Sequence, residues 1–141
     1  MIELAVVLPV LLLIVFGIIY FSEFLNYSTD ETHLAAEAVR WAAVNVNPGS
    51  STLQQYVLSQ ATPGLQTAST DVTSPAKVYL YFPSGSSGQI GSPVRACVTA
   101  SVHFLPFLGL SDTTITQTAT MRLEQTPSWS VDSPPAQCST S

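Results

Sequence analysis

Residues 4–25 read LAVVLPVLLLIVFGIIYFSEFL, a run with no Lys or Arg and one acid, Glu23. At about 1.5 Å of helical rise per residue this stretch spans about 33 Å, enough to cross a hydrocarbon core of about 30 Å. One further carboxylate, Glu3, stands just before it. A secretory signal would show a basic start, a shorter apolar core and a small-residue cleavage site. Nothing basic precedes this core, and the chain runs on from it in helix-favouring sequence. The segment therefore reads as a retained transmembrane helix covering residues 1–25.

Outward from that run, the helix is expected to continue. Between Phe24 and Val46 there is no Pro or Gly, and HLAAEAVRWAAV is rich in good helix formers. Leu34, Ala38 and Trp41 recur at i, i+4 and i+7, one stripe of a helix face, with Asp30, Glu37 and Arg40 mostly off it. Asn47-Pro48-Gly49 is the predicted stop. The reading is one helix of about 45 residues, roughly 65 Å long, with residues 26–47 as its extracytoplasmic half. Pro9 and Gly17 interrupt the apolar half, and Pro9 predicts a kink one turn before it.

Residues 48–141 read as a small α+β head with an irregular C-terminal tail. Ser51 and Gln54 have the spacing of a capping box for a short helix carrying Leu53, Val57 and Leu58, ended by Pro63-Gly64. Three stretches then alternate. Lys77–Phe82 places Val78, Leu80 and Phe82 on one face. Val94–Phe104 does the same with Val94, Ala96, Val98, Ala100, Val102 and Phe104, and Thr113–Glu124 with Ile115, Ala119, Met121 and Leu123. One-sided alternation marks an antiparallel sheet packed on one face, and the Leu34/Ala38/Trp41 stripe is its expected cover. A further strand near Leu65–Val72 is a weaker reading. The fold class is thus α+β, a long N-terminal helix on a small antiparallel sheet.

Charge and cysteine content exclude several functions. The net charge is −5 with four basic residues, and charged residues are 9% of the chain, against roughly 25% in an average soluble domain. Clustered Lys and Arg, which hold nucleic acid, are missing. Both cysteines, Cys97 and Cys138, lie in the head, and an even pair in a Ser/Thr-rich head points to an oxidising compartment. Cys97 falls on the outward face of its strand, where the Pro- and Ser-rich tail can bring Cys138 to it. A structural disulfide is expected rather than a redox pair, which favours closer spacing. The head is then extracytoplasmic.

Signals for chemistry are weak. Hydrolase, zinc-protease and phosphate-loop patterns are missing, so no catalytic residue, cofactor or metal site is assigned. Asp30, His33 and Glu37 share a helical face, and that spacing is read as a solvated surface rather than a metal site. The apolar loop carrying Phe104, Leu105, Phe107, Leu108 and Leu110 is a candidate partner contact. Glu3 has two readings. It either sits wetted at the cytoplasmic headgroups, or enters an apolar helical bundle and meets a cation there.

The acid at Glu3, the LAVVLPVLLLIVFGII that follows, the helix with AAEAVRWAAVNVNPG and the strand ending TATMRLE (118–124) together resemble TadE-like minor pilins, of the tight-adherence branch of the type IV pilus superfamily. The resemblance implies a pseudopilin that helps initiate or cap an adhesive pilus. It also implies partners among other pilins through the N-terminal helix, the inner-membrane assembly machinery and membrane lipid. The acid typical of pilins maps onto Glu3, where it would set axial register by pairing with a neighbour's α-amino group. Pilins place that acid fifth in the mature chain, whereas two residues precede it here, and a start further upstream is expected. The rival reading is a single-pass, membrane-anchored extracytoplasmic binding module with no filament role.

Overall fold

The computed structural model describes residues 2–69, 71–83, 86–103 and 112–139, with side chains from residue 7 onward. Its elements are helix α1 (Ile2–Val44), helices α2 (Leu53–Ser59) and α3 (Pro63–Gln66), strands β1 (Val72–Tyr81), β2 (Pro93–Val102) and β3 (Thr113–Arg122), and a short helix α4 (Ala136–Ser139). The strands form one antiparallel sheet in the order β1-β2-β3. The C-terminal half of α1 lies across one face of it, chiefly on β2 and β3.

Alternation places the core. Val94, Ala96, Val98, Ala100 and Val102 of β2 all turn inward and are buried. Val98 sits opposite Val78 on one side and Gln117 on the other, and Ala96 opposite Leu80 and Ala119. From α1 the buried set is Glu31, Leu34, Ala35, Ala38, Val39, Ala42 and Ala43, wider than the expected stripe and dominated by alanine. Small side chains let the helix backbone approach the sheet closely, so the interface is filled mostly from the strand side by Val and Leu. Trp41 lies at the margin of this face. Its ring meets Tyr56 of α2 edge-on at 6.3 Å, and its Nε1 donates to Glu37 Oε1 at 3.1 Å.

Several boundaries differ from expectation, each for a local reason. Helix α1 ends at Val44, before Asn47-Pro48-Gly49 is reached. Asn45 adopts φ 52°, Val46 N donates to Trp41 O and Asn45 N to Ala42 O. That is a Schellman termination with Asn in the left-handed position. Asn47 instead makes a tight turn, its Oδ1 accepting from Gly49 N, and Gly49 lies so close to Tyr56 that a Cβ there would stand 3.0 Å from the ring. The cap of α2 is Thr52 with Gln55, one residue later than Ser51 with Gln54. Both pairs have the right spacing, but Gln54 is engaged elsewhere, donating to Ser130 O and Asp132 Oδ2.

β1 begins at Val72 and not at Lys77. Two register shifts, between Val72 and Ser74 and between Ser74 and Lys77, interrupt its pairing around Pro75, which has no N–H to give a ladder. These irregularities break the period-two pattern and hid the first half of the strand. Leu65, the start of the weaker strand reading, is in α3. Met121 of β3, expected inward, is exposed, while Leu123 beyond it is buried.

The tail is irregular in course except for α4, yet it is tied at many points. Ser128 N and Oγ both donate to Asn45 Oδ1, and Trp129 Nε1 donates to Ala42 O at 3.1 Å. The tail thus ties down the end of α1 through the Asn45 side chain and through Ala42 O, which takes the indole donor in addition to Asn45 N. Further on, Asp132 N donates to Leu80 O and Leu80 N to Asp132 Oδ2. That carboxylate occupies the edge of β1, where an open strand would otherwise invite pairing with another chain. Last comes the disulfide Cys97–Cys138. It sits on the sheet's outer face, fully buried, beside Tyr81, whose hydroxyl donates to Cys138 O at 2.8 Å.

Candidate functional site

Helix α1 has two halves in one continuous element. From Val7 to Leu25 nearly every large apolar side chain is exposed, among them Leu11, Ile14, Ile18 and Phe21. Around Gly17 an added Cβ would meet nothing within 4 Å. This half is long and apolar enough to cross a membrane. From Glu31 onward the same helix is buried under its own head. The change runs through Phe24 and Tyr27, which are partly buried against the head's core, and before them the helix is an uncovered apolar rod of about 30 Å.

Pro9 lies inside the rod, within helical backbone. Glu3 belongs to the first turn of α1, and its side chain lies outside the described residues. So does the loop proposed for partner contact: Phe104, Leu105, Phe107, Leu108 and Leu110 fall within 104–111. On either side of that loop His103 Nδ1 and Asp112 Oδ1 stand 2.6 Å apart as an exposed pair.

Leu34 and Ala38 are buried in the core, and Trp41 is half-buried against α2. Asp30 and Glu37, two members of the helical trio with His33, are occupied by the fold. Asp30 Oδ2 accepts from Thr62 N at 3.0 Å and Glu37 from the Trp41 indole.

Glu31 is the residue that sequence reading missed. It is completely buried, and neither carboxylate oxygen has a hydrogen-bond partner among the described residues. Burial, and then the neighbouring charge of Asp30, push its pKa up from 4.5 to about 8. At neutral pH it is therefore largely a neutral carboxylic acid, as expected for a carboxyl removed from water without a cation. It sits near the end of the head closest to the apolar rod. One turn earlier Ser28 Oγ accepts from Gln117 of β3 at 3.1 Å, and Tyr27 packs by Gly64. A signal for it was present: Glu31, Leu34, Ala35 and Ala38 have i, i+3, i+4, i+7 spacing, so the stripe passes through the acid.

Residues 1–40 match the family model described as TadE-like protein. The matched segment holds the whole apolar rod and the first turns beneath the head, and it supports a TadE-like protein of the tight-adherence pilus system. No curated protein and no solved structure matches the chain significantly.

Proposed function

We propose that the chain is a minor pilin that takes part in initiating or capping an adhesive tight-adherence pilus, assembling through its N-terminal helix. One observation carries the reading: half of a single continuous helix is apolar and uncovered, within the segment that resembles TadE-like proteins. Such a rod has two environments that keep its surface from water, a bilayer and a bundle of similar rods. Moving between them exchanges lipid contacts for side-chain contacts, so extraction into a filament does not expose the apolar surface. The partners are then other pilins along residues 4–25, the inner-membrane assembly machinery and lipid, with the head outside the cytoplasm.

In this reading Glu3 supplies axial register by pairing with a neighbour's amine, a use of buried charge best attested for registry. Substituting Glu3→Ala is expected to leave membrane insertion intact and abolish incorporation into pili, read by fractionation and by counting surface filaments. Unchanged piliation overturns the register role. Cysteines placed at Leu11 or Ile18 are expected to cross-link to other pilin subunits in native membranes. A chain that stays solitary there is the membrane-anchored module instead.

A further inference from the structure

A cleft of about 510 Å³ opens where the connection from α1 to α2 faces tail residues 128–130. A second hollow of about 400 Å³ along α2 and β1 shares Thr52, Gln54, Gln55 and Ser130 with it, and its wall adds the charged side chains of Lys77 and Asp132. The main cleft by itself falls in the size range of small-molecule sites, about 300–1,000 Å³. The larger cleft has no ionisable side chain in its wall. Its polar groups are the hydroxyls of Ser50, Ser51 and Ser130 and the amides of Asn47 and Gln55, beside the indole of Trp129. That indole is held in place by its bond to Ala42 O and by Phe82, whose ring centroid lies 5.4 Å away. Where the two hollows join, Gln54 Oε1 is buried with no donor among the described residues, although its amide nitrogen is fixed by Ser130 and Asp132.

Each feature narrows the ligand. An anionic group needs a cation or a cluster of aimed N–H donors, and the main cleft wall has no cation. A metal ion needs carboxylate, imidazole or thiolate ligands, which the main cleft also lacks. A purely apolar ligand would leave the wall's hydroxyls and amides unpaired. A neutral polyol satisfies all three conditions. Its hydroxyls donate and accept in turn, and its C–H face packs on a fixed aromatic ring. We infer that the main cleft binds an uncharged oligosaccharide, packed against Trp129. The site lies on the head, apart from residues 4–25, and does not depend on the assembly role.

The test uses the full oxidised chain in lipid nanodiscs, free of sugar-headed detergent. It is applied to an array of neutral, sialylated and sulfated glycans, and the retained glycans are then titrated by tryptophan fluorescence. Retention of neutral glycans is expected. Ser51→Arg and Ser130→Arg fill the cleft from opposite walls; both side chains are exposed and neither makes a side-chain hydrogen bond to the described residues. Each is expected to weaken binding at least about tenfold with an unchanged melting midpoint, and if one variant unfolds the other decides. The proposal is overturned if no glycan is retained, if only sialylated or sulfated glycans are, or if folded variants bind as the parent does.

Discussion

A carboxyl group with no water and no cation is costly in proportion to its charge, and Glu31 avoids most of that cost by holding its proton. In the unfolded chain the same group ionises near its ordinary value of 4.5, and in the folded head near about 8. Between these values the folded state binds more protons than the unfolded, so stability falls as pH rises through that window and levels off above it. Chemical denaturation of the head, followed by tryptophan fluorescence at pH 5, 7 and 8.5, is expected to show midpoints declining in that order. Glu31→Leu removes the unpartnered group from an otherwise apolar stripe. It is expected to raise stability by about 1–3 kcal/mol at pH 7 and to flatten the pH dependence. A variant that loses stability at pH 7, or keeps the same slope, shows that Glu31 has a partner in solution.

The elements show where sequence patterns are sufficient and where competing signals defeat them. β2 was legible end to end, because five inward residues alternate without interruption. The first half of β1 was not, since the register shifts around Pro75 remove the alternation on which such a reading depends. The end of α1 was misplaced because Pro48-Gly49 is a strong local stop, whereas the true terminator, Asn45 at φ 52°, depends on a side chain that also serves the tail. This dual use predicts an ordering among variants. Asn45→Gly keeps the left-handed turn and loses the bonds from Ser128, whereas Asn45→Ala loses both. Thermal melts are expected to rank them parent, Gly, Ala, with Ala lower than Gly by about 1 kcal/mol. Reversal of the two variants would remove the backbone argument. Of the candidate site, the apolar rod was evident from composition alone. Glu31 was overlooked although its spacing was visible, because charged residues on that helix were read as marking the solvent side.

At the scale of the molecule, the rod and the head rest on different physics. The rod is held by what surrounds it, and its apolar surface needs only lipid or other helices. The head is held by about two dozen buried residues and by a covalent link across a separation of 41 residues. In the chain-entropy model that link is worth roughly 4 kcal/mol, acting on the unfolded chain. Cys138→Ala is therefore expected to lower the denaturation midpoint of the head strongly while leaving the amount of membrane-inserted protein unchanged, measured by carbonate extraction. If insertion fell together with head stability, the two halves would not be energetically separate.

The strap from Ser128 to Cys138 reaches back to Asn45, Gln54, Leu80 and Cys97, each of which leaves the ribosome before it does. Closure of the knob thus waits on the latest-synthesised stretch of the described polypeptide, and on an oxidant to seal it. Until that moment β1 keeps an open margin, and Ala42 and Phe82 wait for the indole of Trp129. A chain that stops short of Cys138 is consequently an unfinished one, its apolar rod complete but its head still without the covalent stitch.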